Sequence, residues 1–194
     1  MSQPQERSAS EVDLDRRRVA RAQQGDAGAF EELIGAHSPR IYRLLVRMLG
    51  NAADAEEVVQ ETFLKAWRAL PGFRGQAQFS TWLFRIAVNE GNRRLARVSR
   101  ERTVPLDDVA LAIPDLGKGP AARAEDAELE AHLERFLAEL PPDYRVAVVL
   151  RDIQGLANEE AAELLGLELA NFKSRLHRGR MAIRRRVEEL YSSS

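Results

Sequence analysis

The stretch NEEAAELLGLELANFKSRLHRGR, residues 158–180, has the pattern of two short helices joined by a tight turn. Asn158 is a suitable N-cap for the first helix, and Gly166 permits the change of direction between the two. Apolar positions repeat at helical spacing on both sides of the turn. They are Ala161, Ala162 and Leu165 before it and Leu169, Phe172 and Leu176 after it. This arrangement is typical of a helix-turn-helix.

The outward face of the second predicted helix is basic. Residues 171–187 contain seven Lys or Arg and no acid. Cations neutralise phosphates, and Arg or Lys side chains read guanine in the major groove. The alternative is a solvated basic face, but seven charges with no acid in the segment would repel each other. The outward residues are Lys173, Ser174, Arg175, His177, Arg178 and Arg180, followed by Arg184, Arg185 and Arg186.

Helical periodicity covers most of the chain on both sides of one interruption. Between residues 101 and 125, three prolines and two glycines break the pattern, which indicates a flexible linker. The sequence therefore predicts an all-α protein of two small helical domains joined by this linker. The predicted parts are a disordered tail at 1–10, a first domain at 11–100, the linker at 101–125 and a second domain at 126–194.

Each predicted domain contains four helices. Pro and Gly at 71–75 place a loop between the third and fourth of them, and Ser80 is a plausible N-cap for the fourth. The predicted helices are 11–24, 27–49, 54–70 and 80–100 in the first domain and 126–139, 141–153, 159–165 and 169–190 in the second.

Composition limits the possible chemistry. The 194 residues include no Cys, and the three His lie far apart, so we expect no metal and no cofactor. No apolar run approaches the length of a membrane span, and the N-terminus lacks a signal-peptide pattern, which predicts a cytoplasmic protein without membrane insertion. The net charge of −1 by itself argues against DNA binding. This value averages over an uneven distribution, because residues 85–102 carry +4 and residues 171–187 carry +7.

The fourth predicted helix has a basic face next to an aromatic loop. Its residues Arg85, Asn89, Arg93 and Arg97 recur every four positions and so share one face, while Trp82, Leu83 and Ile86 point inward. Phe73 and Phe79 flank a short loop that carries Arg74 and two Gln residues. Aromatic, cationic and amide groups together can hold an unstacked base. The alternative is that the aromatic residues, Trp82 above all, are simply part of the core.

The third predicted helix is acidic at its start, with Asp54, Glu56, Glu57 and Glu61. Carboxylates are favourable near a helix N-terminus, so a solvated helix start explains most of them. A protein-binding surface is the second interpretation. A hydrolase or nuclease that uses Glu56, Glu57 and Glu61 is a third, but the sequence offers no further ligands for a metal.

Two segments together resemble one known family. Residues 54–94, DAEEVVQETFLKAWRALPGFRGQAQFSTWLFRIAVNEGNRR, resemble region 2 of the extracytoplasmic-function (ECF, group 4) sigma factors of RNA polymerase, in the sigma-70 family. Residues 140–180, LPPDYRVAVVLRDIQGLANEEAAELLGLELANFKSRLHRGR, resemble region 4 of the same family. The order of the segments, the linker and the length also agree, and the RpoE- and SigW-like members are the most similar.

The resemblance implies a non-enzymatic factor that binds core RNA polymerase and promoter DNA and melts the −10 element. It implies contacts with the β′ clamp helices and the β flap of the core, and control by an anti-sigma factor. The implied −10 residues are Lys65, Phe73, Arg74, Asn89 and Arg93. The implied −35 residues are Arg151, Lys173, Ser174, Arg175, His177, Arg178 and Arg180. The implied core-binding residues are Asp54, Gln60, Glu61 and Phe63.

Five positions depart from the family pattern. Ala161 stands where Ile is usual, Ala170-Asn171-Phe172 where Gly-Thr-Val is usual and Gly179 where Ala is usual. The larger Phe172 predicts a tilt of the recognition helix. A repressor or activator that uses the helix-turn-helix alone, as a dimer on a palindrome, is the alternative function, but it gives the basic and aromatic segment of the first domain no role.

Overall fold

The computed structural model describes residues 9–101 and 124–192, and all regular structure in these two ranges is helical. Two helical domains are present, as the sequence predicts. Most of the predicted tail and of the predicted linker lies outside the described residues. The first domain contains α1 (Ala9–Gln23), α2 (Ala27–Leu49), α3 (Ala52–Ala69), a 3-10 turn (Leu70–Gly72) and α4 (Phe79–Glu101).

The second domain contains α5 (Ala124–Glu139), α6 (Pro142–Val148), a π-helical turn (Val149–Ile153), α7 (Asn158–Leu165) and α8 (Leu169–Ser192). The predicted 141–153 helix is therefore real, but its last turn widens to π geometry. Gly155, at φ 77°, follows this turn and permits the reversal into α7.

Two predicted N-caps are wrong. Helix α4 begins at Phe79, so Ser80 lies in its first turn. Helix α7 begins at Asn158 itself, whose buried Oδ1 has no hydrogen-bond partner, and Ala157 occupies the cap position. The caps that do form are in the first domain, where Asp26 accepts from the Ala29 amide at 3.0 Å.

The first domain is a bundle of α2, α3 and α4, with α1 packed along α2. Its centre is apolar and fully buried, and the rings of Phe30 and Phe63 meet edge to face at 6.5 Å. One buried polar pair joins α1 to α2: Asp15 Oδ2 and His37 Nε2 are 3.0 Å apart. Because both side chains are almost completely buried, this pair fixes α1 on the bundle.

The second domain packs α8 against α6 and α7, with α5 alongside α8. Gly179 makes this packing possible, since a Cβ there would come within 2.7 Å of a Val148 methyl and 3.1 Å of the Tyr144 carbonyl oxygen. The departure from the family pattern at this position therefore matches a close approach of α8 to α6. Phe172 and Ala161 are both fully buried in the core, one large and one small.

The two domains touch through α2 and α4 on one side and α5, α6 and α7 on the other. Arg47 donates to Glu134 at 2.8 Å from Nε, and Arg85 reaches Glu160 at 3.4 Å. Arg145 is buried against Gly50. A Cβ added at Gly50 would lie 1.8 Å from the Arg145 guanidinium group. Burial lowers the pKa of Arg145 to about 10.

Candidate nucleic-acid interface

Helix α4 presents a basic face to solvent. Arg85, Asn89, Arg93 and Arg97 are all exposed, whereas Leu83 and Ala87, on the opposite face, are fully buried. The four-residue repeat therefore places the predicted −10 side chains Asn89 and Arg93 on one accessible surface.

The loop before α4 rests on an aromatic cluster. The Phe73 ring lies 4.9 Å from Trp82 and 6.1 Å from Phe79, and Phe79 lies 5.6 Å from Trp82. Phe79 is buried, while Phe73 and Trp82 are half-buried. Phe79 therefore belongs to the core, whereas Phe73 keeps an accessible part at the edge of the loop. Arg74 and the residues up to Gln78 are exposed.

A cavity of about 490 Å³ separates this loop from helix α1. One wall consists of residues 73–80, and the other comes from α1, including Asp15, Arg16 and Gln23. A cavity of this size, with apolar and polar groups on its walls, has the character of a ligand site. Sequence reasoning predicted the loop but not the contribution of α1, because α1 is some fifty residues away in the chain.

Lys65 and Arg93 are brought together by Glu90. The Glu90 carboxylate is 5% exposed and binds Lys65 Nζ on one oxygen and Arg93 at 3.1 Å on the other. The two cations offset the desolvation penalty of the buried carboxylate, and the carboxylate in turn fixes their positions. Glu90 is thus an organising residue that the sequence reading missed. Its position three residues before Arg93 was the available signal.

The acidic start of α3 is tied to α4. Asp54 accepts from Arg94 at 2.5 Å, and Glu57 lies 3.1 Å from the same guanidinium. The hydrogen bond to Asp54 raises the pKa of Arg94, and burial opposes this effect. These carboxylates therefore serve a structural ion pair, while Glu56 stays exposed.

The other predicted core-binding residues of α3 differ in accessibility. Gln60 is exposed and Glu61 half-buried, but Phe63 is only 6% exposed. Phe63 therefore supports this surface from the core and does not form it. One accessible apolar side chain of α3 is its neighbour Leu64, at 56% exposure, which the predicted core-binding residues do not include.

The second domain contains the predicted helix-turn-helix. Helix α7 ends at Gly166, which has φ 65°, and α8 begins at Leu169. Phe172 and Leu176 anchor α8 in the core. Of the predicted −35 residues on α8, five are exposed and one, Arg175, is half-buried; the exposed ones are Lys173, Ser174, His177, Arg178 and Arg180.

Four cations of α8 have partners on other elements of the same domain. Arg175 lies 3.3 Å from Asp143, Arg178 donates to the Tyr144 hydroxyl at 3.2 Å, and Arg180 binds Asp152 at 2.5 Å. Arg186 similarly binds Glu139 at 2.5 Å.

The bond to Asp152 raises the pKa of Arg180, which remains cationic. Segment 171–187 contains no acid, but carboxylates from other elements of the fold partly neutralise its positive charge. Repulsion among these charges therefore disfavours a solvated basic face less than the sequence alone indicates. Arg151, the remaining predicted phosphate ligand, is half-buried in the π-helical turn beside Asp152.

Within residues 9–101 and 124–192, no group of three or more acidic or His side chains is arranged to hold a metal ion. None of the helices in the same ranges combines the length and the apolar character that a membrane crossing requires.

Both domains match known families. Residues 33–101 match the family described as Sigma-70 region 2, and residues 131–183 match the one described as Sigma-70, region 4. The RNA polymerase sigma-H factor of Pseudomonas aeruginosa is 36% identical over 186 residues, which cover 91% of this chain and 95% of that protein.

The ECF RNA polymerase sigma-E factor of Escherichia coli strain K12 is also 36% identical, over 190 residues that cover 93% of this chain and 98% of that protein. Among solved structures, CnrH in complex with the cytosolic domain of CnrY matches with a TM-score of 0.57 and 29% identity, over 91% of this chain and 98% of that chain.

Proposed function

The chain belongs to the ECF group of the sigma-70 family and is a promoter-recognising, non-enzymatic initiation factor of RNA polymerase, and we propose that its two domains divide promoter recognition between them. In this proposal residues 11–100 bind the core and the −10 element, residues 126–194 bind the −35 element, and residues 101–125 link them. The observation that carries the proposal is that α4 and α8 each bury one face and expose basic residues on the other.

For the −10 element, the proposed site comprises Asn89 and Arg93 on α4, Phe73 and Arg74 in the loop, and Lys65 on α3. Lys65 shares the Glu90 carboxylate with Arg93. Phe73 offers a partly exposed ring for stacking on an unpaired base. Arg74 is exposed and can bind a phosphate or the edge of a base. Binding energy for the unpaired strand then offsets the cost of unstacking, so that melting needs no nucleotide hydrolysis.

For the −35 element, α8 enters the major groove, and the base-reading residues are Lys173, Ser174, Arg175, His177 and Arg178. Arg151 and Arg180 bind phosphates on either side. The exposed positions on α8 support this assignment, and so does the anchoring of the helix by Phe172 and Leu176.

Core polymerase meets the acidic face of α3. Asp54, Gln60 and Glu61 provide its polar part, Phe63 supports it from the core, and the exposed Leu64 adds an apolar contact. The partner elements in this proposal are the β′ clamp helices for α3 and the β flap for the second domain.

The protein acts in the cytoplasm under the control of an anti-sigma factor. The support is by analogy, since CnrH, which this chain resembles at 29% identity, was solved with the cytosolic domain of a partner protein, CnrY. Co-elution of the full chain with the product of an adjacent gene would test this part of the proposal.

Transcription from a defined template tests the main proposal. The full chain, added to core polymerase, is expected to start RNA synthesis at promoters selected from a library with randomised −10 and −35 elements. Core alone serves as the control. No enrichment of either element, with a core that is active with another sigma factor, would overturn the proposal. Sequence-specific binding to a palindromic duplex without core would favour the repressor alternative.

A further inference from the structure

Gln23, the last residue of α1, reaches the loop that precedes α4. Its Nε2 donates two hydrogen bonds, one to the Leu70 carbonyl and one to the Phe73 carbonyl, each 2.9 Å long. These two carbonyls bracket the 3-10 turn, which is itself closed by the Phe73 amide and the Leu70 carbonyl at 3.0 Å. One amide group thus fixes both ends of the turn from a distant helix.

Helix α1, which carries Gln23, is fixed on the bundle. Helix α1 is held on α2 by the buried Asp15–His37 pair, two turns before Gln23. The His37 ring also lies 5.2 Å from Phe79, which ends the loop on its other side. Helix α1 is therefore linked to both ends of the loop, directly through Gln23 at one end and through Asp15 and the α2 residue His37 at the other.

Beyond Phe73, the loop has little support of its own. Residues 74–78 are exposed, and the Phe73 ring is held by its contacts with Phe79 and Trp82. The direction in which Arg74 leaves the aromatic cluster depends on the backbone at Phe73. That backbone is where Gln23 binds.

We infer that Gln23 is a positioning residue for recognition of the −10 element. This inference rests on the proposed function of the loop. Gln23 acts through the backbone of residues 70–73, which it holds so that Phe73 and Arg74 face the cavity that α1 shares with the loop. Sites that must discriminate bases need such fixed supports, because a small displacement of the contacting groups removes selectivity.

The test compares three variants of the full chain. Gln23→Glu replaces the donor by a carboxylate, which would face two carbonyl oxygens. Gln23→Lys restores a donor that can reach both carbonyls. Gln24→Glu is the matched control, because it makes the same charge change on the neighbouring exposed amide.

Each variant is combined with core polymerase and challenged with a promoter library randomised only in the −10 element. Transcript sequencing gives the base preference, and 2-aminopurine placed in the −10 element reports opening. Gln23→Glu is expected to reduce both preference and opening about fivefold to tenfold, as the loss of one to two ordinary net hydrogen bonds would. Gln23→Lys and Gln24→Glu are expected to keep the wild-type preference.

Affinity for core polymerase and for a −35 duplex, together with the thermal unfolding midpoint, separates positioning from general damage. Both affinities are expected to stay within twofold in all variants. The unfolding midpoint of Gln23→Glu is expected to fall by only roughly 2–4 °C, because the same hydrogen bonds also stabilise the folded chain, and Gln24→Glu is expected to keep the wild-type midpoint. A wild-type −10 preference in Gln23→Glu would overturn the inference, and so would a parallel fall in core affinity. If the wild-type chain itself shows no −10 preference, the proposed function of the loop fails instead.

Discussion

The turn of the helix-turn-helix and the loop before α4 are built in opposite ways. The turn is closed from within, by the Gly166 amide on the Glu163 carbonyl at 3.0 Å and the Leu167 amide on the Ala162 carbonyl at 2.9 Å. The loop is fixed from outside, by Gln23, which lies 47 residues before Leu70. The turn therefore depends on its own residues and on the core beneath it, whereas the loop depends on helix α1.

Removing the core beneath the turn is expected to have the largest effect. Phe172→Ala is expected to lower the free energy of unfolding by about 3–5 kcal/mol, because the ring is fully buried and leaves a cavity. Phe73→Ala, which removes a half-buried ring in the loop, is the matched control and should cost clearly less. Chemical denaturation of both variants gives the comparison, and equal losses would contradict it.

A second variant tests DNA contact from the helix that the turn orients. Arg178→Ala is expected to weaken binding to a −35 duplex by about 1–3 kcal/mol, because an exposed guanidinium at a base-reading position is lost. Arg184→Ala, which removes an exposed arginine paired with Glu188 outside the proposed site, is the control. Fluorescence anisotropy measures both, and the same affinity for the two variants would remove Arg178 from the site.

The strain of the turn itself can be measured at Gly166. Gly166→Ala is expected to destabilise the protein by about 1–2 kcal/mol, because the residue sits at φ 65° where an L side chain is strained. No heavy atom lies within 4 Å of the added methyl group, so crowding makes no contribution. Chemical denaturation reports the loss. An unchanged midpoint would show that the turn relaxes without cost.

The smallest effect is expected at the helix that the loop adjoins. Asn89→Ala should flatten the −10 base preference by roughly 1 kcal/mol per contacted base while leaving core affinity unchanged, because the side chain is exposed and supports no other element. Selection from a randomised −10 library measures the preference. A selection profile equal to that of the wild type would show that Asn89 reads no base.

The all-α architecture, the exposed face of α4 and the helix-turn-helix could be predicted because they arise from local periodicity. Buried and exposed positions within one helix follow from residue spacing alone, and α2 has the predicted bounds, 27–49. The two incorrect caps, Ser80 and Asn158, show the limit of local rules. A residue with capping chemistry lies inside the helix in both cases, Asn158 as the first residue of α7 and Ser80 as the second residue of α4.

The supports of the loop could not be predicted, because they depend on tertiary contacts. The hydrogen bonds of Gln23 follow from how α1 packs beside the loop, and the Lys65–Glu90 pair follows from how α3 and α4 pack. Residue spacing along the chain specifies neither contact. The same holds for the ion pairs of α8, whose acids come from elements up to 47 residues away. The sequence identifies charged groups, whereas the fold decides which of them are paired.

The pairing of the α8 arginines has a consequence for the ionic-strength dependence of promoter binding. When DNA binds a cationic side chain, it releases condensed counterions. If all seven cations of segment 171–187 were unpaired and bound phosphates, the logarithm of the binding constant would fall with the logarithm of the salt concentration with a slope of roughly −6. Arg175, Arg180 and Arg186 are already paired with carboxylates. Each carboxylate that DNA displaces takes up a cation from solution and cancels part of that release. The −35 contact should therefore lose affinity with salt more slowly than its arginine content indicates.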